Sequence, residues 1–244
     1  MEIGTAFIPP SIRFIVKTML SAEIAEQGFA ITNGIFSSAE ISALEKELQL
    51  ADLPRSRAGI RHAMRNSAVA KTANHPRLLG IARAVLGIEA VPYRATLFDK
   101  SPVSNWLVTW HQDTALPLRE KRESAGWGPW SVKDNVIYAH APAAVLSDVL
   151  ALRLHLDDSG ADNGPLRVLP RTHTLGVLSD ENMMALAAEI PAVECLASLG
   201  GVLAMRPLLV HASSKSRSER PRRVLHIEYA TKIEIAKEMR LAMA

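Results

Sequence analysis

Two short segments of this 244-residue chain carry side chains whose types and spacing suit a metal ion. The first, 110–113, reads Trp-His-Gln-Asp and ends an apolar stretch that predicts a strand. Side chains two residues apart in a strand project from one face, roughly 6–7 Å apart, so His111 and Asp113 can converge while Gln112 points away. An imidazole and a carboxylate, completed by a second histidine, form the triad that holds non-haem Fe(II) and leaves three positions open.

The second segment supplies a third candidate ligand and a nearby arginine. His211 ends the apolar run 208–211, which predicts another strand, and Arg222 follows eleven residues later at the start of the predicted strand 224–230. A guanidinium near an open metal site suits a ligand with a distal carboxylate, which it can bind through two parallel hydrogen bonds. Taken alone, His-x-Asp also fits a histidine that pairs with an aspartate at a strand end, so both interpretations stay open on spacing alone.

Helices are predicted in the first part of the chain. A short helix and a strand fall within 19–36, and Ser37 with Glu40 forms a capping box ahead of an apolar stripe at helical spacing. A further helix is predicted over 76–86, with a proline at its start and a glycine just past its end. The arginine-containing stretch 53–66 has no matching apolar period and fits a solvated loop or a basic loop facing a substrate.

Strands are predicted from Ala90 onward, in short apolar or alternating segments separated by turn signals. These segments are 93–98, 106–110, 149–156, 166–169, 202–205, 208–211 and 224–230. Many short strands of this kind are typical of a β-sandwich or barrel, and the late strands must pair across long gaps, as in a jelly roll. The stretch 114–148 has few strand signals, so we expect a lid-like insertion.

Composition limits the class of protein. With 48% hydrophobic and 22% charged residues, the chain is ordinary for a globular protein and is not disordered, collagen-like or coiled-coil. We expect residues 1–18 to be a loosely held extension and 19–244 to form a single domain. No apolar stretch approaches the ~20 residues of a membrane span, and the start lacks the features of a signal peptide. Cys195 is the single cysteine, which favours a reducing, cytoplasmic location.

The charge pattern argues against nucleic acid or a membrane surface as a partner. The formal net charge is only +3, from 28 basic and 25 acidic residues. The basic cluster 215–223 contains Glu219 and no interleaved aromatic residue. We therefore expect a small-molecule substrate; the oligomeric state cannot be inferred from the sequence.

A series of short motifs lies along most of the chain. They are LFDK at 97–100, NW at 105–106, WHQD at 110–113, LRLHLDD at 152–158, NGPLRVLP at 163–170, His173, HAS at 211–213 and RPRR at 220–223. In these motifs the chain resembles the phytanoyl-CoA dioxygenase family of Fe(II)- and 2-oxoglutarate-dependent oxygenases. The resemblance implies a mainly β fold with flanking helices, built on a double-stranded β-helix (jelly-roll, cupin-like) core.

The resemblance also implies roles for single residues. His111, Asp113 and His211 match the iron ligands, and Arg222 matches the arginine that binds the far carboxylate of 2-oxoglutarate. Ser213 matches a position that commonly supports the same cosubstrate. Arg223 is adjacent to Arg222, but strand alternation turns it to the other face. The implied activity uses Fe(II), 2-oxoglutarate and O2 to hydroxylate, or otherwise oxidise, an unidentified small organic substrate, with release of succinate and CO2.

Some points stay open. Because Asp113 is present, hydroxylation, or a related desaturation or ring closure, is favoured over halogenation. The family usually has Pro-Gly-Ser-His where this chain has Arg171 in place of the glycine. Lys100 fits a cosubstrate-facing or a solvated position, and His155 fits a pocket-lining or a structural one. The alternative functions are a Zn(II) hydrolase with the same triad and a catalytically silent β-helix ligand-binding protein.

Overall fold

In the computed structural model of the chain, the described residues are 10–49, 59–102, 104–236 and 239–244. Within them lie six α-helices and two short 3-10 helices. The α-helices are α1 (Pro10–Gln27), α2 (Ser38–Gln49), α3 (Ser67–Ala73), α4 (Pro76–Leu86), α5 (Ala143–Leu146) and α6 (Asp180–Glu189), and the 3-10 helices are Ala63–Arg65 and Thr172–Thr174.

A six-stranded antiparallel sheet forms the larger half of the β core. In spatial order its strands are β1 (Phe29–Thr32), β11 (Val202–Met205), β8 (Val149–His155), β13 (Arg222–Ala230), β3 (Val91–Lys100) and β2 (Gly59–Ile60). Alternate residues of β8 and β13 point to opposite faces. The face with Leu152, Leu154 and Ile227 packs against α1, α3 and α4 in the main apolar core.

A four-stranded antiparallel sheet faces the other side of the large sheet. Its spatial order is β10 (Val193–Cys195), β9 (Leu166–Val168), β12 (His211–Ser213) and β4 (Val108–His111). Apolar residues of both sheets, including Leu203, Met205 and Val168, share one buried cluster. The two sheets therefore enclose a common interior. In both sheets, strands that are far apart in the sequence lie side by side, as expected for a jelly roll.

The stretch 114–148 contains more strand than its sequence pattern predicts. It forms a three-stranded sheet of β5 (Ala115–Leu118), β7 (Val136–His140) and β6 (Trp130–Lys133), in that spatial order. Asp134 and Asn135 both have positive φ, 49° and 63°, which is the backbone of the tight hairpin turn between β6 and β7. The last strands, β14 (Glu234–Ala236) and β15 (Met239–Arg240), lie beside this sheet through the Leu118–Leu241 bridge. Whether the insertion acts as a lid stays a prediction.

The helical predictions are confirmed, with one change. The helix predicted within 19–36 begins earlier, at Pro10, and so runs across residue 18, where we placed the end of the extension. Residues 1–9 lie outside the described part of the chain, and the extent of a loosely held extension stays a prediction. The capping box at the start of α2 is formed: the Ser37 N–H donates to Glu40 Oε2 over 2.8 Å, and the Glu40 N–H donates to Ser37 Oγ over 3.3 Å.

Two other predictions need comment. The apolar run 208–211 is not a strand, because the Leu209 N–H donates to Arg206 O (3.1 Å) in a turn; His211 is the first residue of β12. In the predicted basic loop 53–66, residues 53–58 are outside the described part, and β2 follows them. No helix within the described ranges is long and apolar enough to cross a membrane.

Candidate metal centre

The three predicted ligands meet where β4 and β12 lie side by side. His111, the last residue of β4, pairs in register with His211, the first residue of β12, and their ring centroids are 4.1 Å apart. Asp113 follows β4 and is held by its N–H, which donates to Pro207 O over 2.9 Å. Its carboxylate oxygens lie 3.8 Å from His111 Nε2 and 3.5 Å from His211 Nε2. One donor atom from each residue lies within 4.8 Å of the others.

Backbone carbonyls set the orientation of both imidazoles. Nδ1 of His111 lies 2.9 Å from Thr109 O, and Nδ1 of His211 lies 2.8 Å from Leu209 O. Because a carbonyl oxygen only accepts, Nδ1–H is the donor in each case, and the neutral ring keeps its lone pair on Nε2. This is the arrangement in which a second hydrogen bond fixes the tautomer of a metal-binding histidine.

The ionisation states also suit metal binding. Burial, followed by the charge of His111, lowers the pKa of His211 to about 3, so this ring is neutral at pH 7. Burial alone would raise the pKa of the Asp113 carboxyl. The two histidines, His211 more than His111, have the larger opposite effect and hold this pKa below its usual range, so the carboxyl is ionised at pH 7. A neutral imidazole and an ionised carboxylate are the forms that bind a metal.

Gln112 turns away from the three ligands and connects the segments that carry them. Its buried amide donates from Nε2 to Leu208 O (2.7 Å) and to Gly176 O (2.9 Å). Its Oε1 accepts from the Leu178 N–H over 2.9 Å. The end of β4, the turn before His211 and the segment before α6 are therefore joined through one side chain.

A cavity of about 130 Å³ opens beside the triad. Its cationic wall comes from the inner face of the large sheet, where Lys100 on β3 pairs in register with Arg222 on β13. These side chains are only 1% and 4% exposed. Lys100 Nζ donates to Ser213 Oγ (2.8 Å) and Ser214 O (2.6 Å). Arg222 donates from Nε to Asn163 O (3.2 Å) and from Nη2 to Ser213 Oγ (3.4 Å).

Neither cation has an acidic partner within the described ranges. Burial and then the charges of Arg222 and Arg153 lower the pKa of Lys100 to about 7. Burial and the charge of Arg153 lower the pKa of Arg222 to about 9. Uncompensated buried cations are costly, so this wall is suited to receive an anion.

The other residues considered in the sequence analysis differ in whether they face the cavity. Arg223 lies on the opposite face from Arg222 and pairs with Asp157 (2.7 Å) and Glu45 (2.6 Å), as alternation predicts. Lys100 faces the cavity rather than solvent. His155 is buried with Nδ1 3.4 Å from Gly201 O and does not line the cavity, which favours its structural interpretation.

Sequence reasoning missed two residues of the cavity, Arg94 on β3 and Arg153 on β8. The available signal was strand alternation. Arg94 is six residues from Lys100 and therefore on the same face of β3, whereas Leu97 packs in the helical core. Arg153 shares a face with His155, but nothing in its local sequence indicates that it lines the cavity beside the candidate metal ligands.

Comparison with known proteins gives a consistent answer. The sequence model of the family described as phytanoyl-CoA dioxygenase (PhyH) matches residues 24–224. No match was found among curated protein sequences. The family resemblance inferred from the motifs is thereby confirmed.

Solved structures resemble this chain over most of its length. EctD from S. alaskensis, solved with 2-oxoglutarate and 5-hydroxyectoine, has a TM-score of 0.68 at 21% identity, over 89% of this chain and 77% of EctD. SnoN, a non-heme alpha ketoglutarate dependent epimerase from nogalamycin biosynthesis, has a TM-score of 0.64 at 17% identity, over 88% and 82%. AviO1 from Streptomyces viridochromogenes Tue57 has a TM-score of 0.63 at 22% identity, over 93% and 96%. These likenesses confirm the predicted fold class.

Proposed function

Since this chain belongs to the phytanoyl-CoA dioxygenase family, whose members are non-haem iron oxygenases that use 2-oxoglutarate and O2, we propose that it hydroxylates a small organic substrate with release of succinate and CO2. One observation carries the proposal. Two imidazole nitrogens and a carboxylate oxygen lie within 4.8 Å of one another beside a cavity. Another wall of this cavity contains Lys100 and Arg222, which are buried and have no acidic partner among the described residues. The first feature suits a metal, and the second suits an anionic cosubstrate.

The donor set fits Fe(II). Two neutral nitrogen ligands and one carboxylate oxygen come from one side of the cavity, and such a 2-His-1-carboxylate set leaves positions open for other ligands. The same three side chains would also fit Zn(II). A zinc hydrolase, however, gives no reason for Lys100 and Arg222 to be buried without acidic partners, and this observation favours the oxygenase.

The cationic wall fits 2-oxoglutarate. We assign the far carboxylate to Arg222, whose planar guanidinium suits two parallel hydrogen bonds. Ser213 supports this site by aligning both cations, because its Oγ accepts from Lys100 Nζ and Arg222 Nη2 and donates to Gly164 O over 2.9 Å. Lys100 Nζ already donates to Ser213 Oγ, so it orients this hydroxyl and adds a second positive charge. The side chains of Trp106, Phe98 and Leu166 line the rest of the cavity and exclude water from it.

His111, Asp113 and His211 would hold the iron in this scheme. Bound iron and 2-oxoglutarate supply the oxidising chemistry that no amino-acid side chain provides. The protein residues hold the two partners in a fixed geometry and neutralise the cosubstrate. Asp113 keeps the carboxylate position filled by protein, which favours hydroxylation over halogenation.

The test is an anaerobic titration of Fe(II) into the metal-free protein with 2-oxoglutarate, followed by the visible charge-transfer band of the chelate. We expect a band in the wild type, none in His211→Ala, and a band that needs more 2-oxoglutarate in Arg222→Ala. A missing band together with tight Zn(II) binding would overturn the oxygenase assignment and support the hydrolase. Metal binding without any response to 2-oxoglutarate would support a silent binding protein.

The substrate and the final outcome need a separate experiment. EctD is described with 5-hydroxyectoine and SnoN as an epimerase, so proteins with this fold differ in reaction. We propose to screen small organic compounds by substrate-stimulated succinate release, with His211→Ala as the background control. A cytoplasmic location stays a prediction that rests on the lone Cys195.

A further inference from the structure

Arg153 is a buried cation that the assignments above leave without a role. It lies on β8, is 6% exposed, and lines the same cavity as the triad. No acidic side chain pairs with it in the part of the chain that the structure describes, and its Nε has no hydrogen-bond partner. A buried guanidinium without a paired acidic group destabilises a protein, so its position on the cavity wall points to an anion that binds there.

Neighbouring residues orient the Arg153 side chain. Its Nη1 lies 3.0 Å from His226 Nδ1, and because arginine only donates, His226 accepts there and carries its proton on Nε2. That Nε2 lies 3.8 Å from Glu228 Oε1, and Glu228 Oε2 lies 3.1 Å from Arg94 Nε. The guanidinium also lies over the ring of Phe98, 5.3 Å from its centroid. The group is therefore held on two sides while Nε stays unpaired.

Sheet register places Arg153 on the same inner face of the large sheet as Lys100 and Arg222, two rows further along. On the inner face, Lys100 and Arg222 form one row, Phe98 and Val224 form the next, and Arg153 and His226 form the one after. The positive charge of Arg153 lowers the pKa of both Lys100 and Arg222. Arg153, Arg222 and the three candidate metal ligands line one cavity, so a molecule that fills it from Arg222 to these ligands can reach Arg153.

We propose that Arg153 binds the carboxylate at the keto-acid end of 2-oxoglutarate, beside the metal, so that a cation holds each end of this dicarboxylate. The inference rests on the proposed function and deepens it. It accounts for the third buried cation, because Lys100 and Arg222 serve the far carboxylate. It assigns Arg153 to the cosubstrate rather than to the substrate because Arg153 is buried on the same sheet face as Lys100 and Arg222, whereas the side chain of Arg94 is 25% exposed.

Two keto acids separate the roles of the two arginines. 2-Oxoglutarate has both carboxylates, and 2-oxobutyrate has only the one next to the keto group. Affinity for each is measured by anaerobic titration of the Fe(II) protein, for wild type, Arg153→Met and Arg222→Met. We expect Arg153→Met to weaken both keto acids by about tenfold to a hundredfold, the effect of losing a charge-assisted hydrogen bond. Arg222→Met should weaken 2-oxoglutarate by a similar factor and leave 2-oxobutyrate within about twofold.

Control variants distinguish a specific loss of keto-acid binding from a general loss of folding. Arg206→Gln removes another arginine, whose side chain donates to the Ser147 and Val149 carbonyls and to no other group in the described part of the chain, and it should leave both affinities unchanged. Arg153→Lys keeps the charge without the planar fork and should bind 2-oxobutyrate with intermediate affinity. The melting temperature of metal-free Arg153→Met should be at least that of wild type, because the variant removes an unpaired buried charge.

The outcomes are distinguishable. No chelate band in the wild type would overturn the proposed function and, with it, this inference. Wild-type affinity of Arg153→Met for both keto acids would overturn the inference alone. The same result combined with loss of substrate-stimulated turnover would reassign Arg153 to the substrate. A metal-free Arg153→Met that melts well below wild type would identify the residue as structural.

Discussion

Replacement of Gln112 by leucine tests whether one amide couples the fold to the metal centre. The side chain makes three hydrogen bonds, to the Leu208 and Gly176 carbonyls and from the Leu178 N–H, at 2.7–2.9 Å. Leucine has a similar size and none of these groups, so the Leu208 carbonyl would be left buried and unpaired, and the Gly176 carbonyl and Leu178 N–H would be left unpaired and partly buried. Each such bond contributes about 1 kcal/mol net, and an abandoned buried partner costs 1–3 kcal/mol, so we expect a total loss of about 3 kcal/mol.

This loss can be measured directly. For a chain of this length, about 3 kcal/mol corresponds to a fall of about 6–12 °C in melting temperature. Leu208 directly precedes Leu209, whose carbonyl orients His211. We therefore also expect metal affinity to fall about tenfold, the effect of losing a residue that holds a metal ligand in position. Urea unfolding of the metal-free protein gives the first quantity, and competition with a chromogenic chelator gives the second.

Gln112→Glu is the matched control. Its carboxylate can still accept from the Leu178 N–H but presents no donor to the two carbonyls, so at neutral pH it should be no more stable than the leucine variant. The reasoning would be refuted if Gln112→Leu lost less than about 1 kcal/mol. Loss of stability with unchanged metal affinity would refute the coupling between the two.

Three further outcomes follow from local structure. Arg171 has φ of +69°, a left-handed conformation that costs an L-residue about 1 kcal/mol, so Arg171→Gly should raise the free energy of unfolding by about 0.5–1 kcal/mol in urea, whereas Arg171→Ala should not. Asn66 caps α3 through Oδ1, which accepts from two N–H groups at 2.9 and 3.1 Å; Asn66→Ala should cost about 1 kcal/mol, or about 2–4 °C of melting temperature, and an unchanged thermal melt would contradict the cap. The hydrogen bond from Arg77, with those from Ser37, lowers the pKa of Glu40 from 4.5 to about 2, so its stabilisation is complete above pH 4.5 and is lost as pH falls toward 2; unfolding of Glu40→Gln should show a smaller dependence over that range.

Periodicity and caps predicted most of the elements that position the site. The strands β3, β8, β11 and β13 fall where alternating or apolar segments predicted them, because each is buried on at least one face. β6 was missed because three of its four residues are exposed, which leaves no hydrophobic pattern to detect. The strand predicted over 208–211 is wrong for 208–210, because a buried turn and a buried strand have the same apolar composition. Only the backbone hydrogen bond from Leu209 to Arg206 separates them.

The candidate ligands could be predicted because their signal is local or linked to a family motif. His111 and Asp113 are two residues apart, and His211 occurs in a recognisable motif. The setting of Arg153 could not be predicted, because its partner His226 is 73 residues away and the contact depends on the register of β8 with β13. Side-chain burial and pairing of this kind arise only once the sheet is assembled.

The pairing of His111 with His211 has a consequence for chain topology. β4 is an edge strand of the smaller sheet, hydrogen-bonded to β12 alone among the described strands. A metal bound by all three ligands would cross-link His111 and His211, which are about 100 residues apart in the sequence, as a disulfide cross-links two cysteines. By the chain-entropy relation, a closed loop of that length corresponds to roughly 4–5 kcal/mol. The same ion that serves the chemistry would thus act as a removable cross-link, and amide exchange along β4 would report whether it is in place.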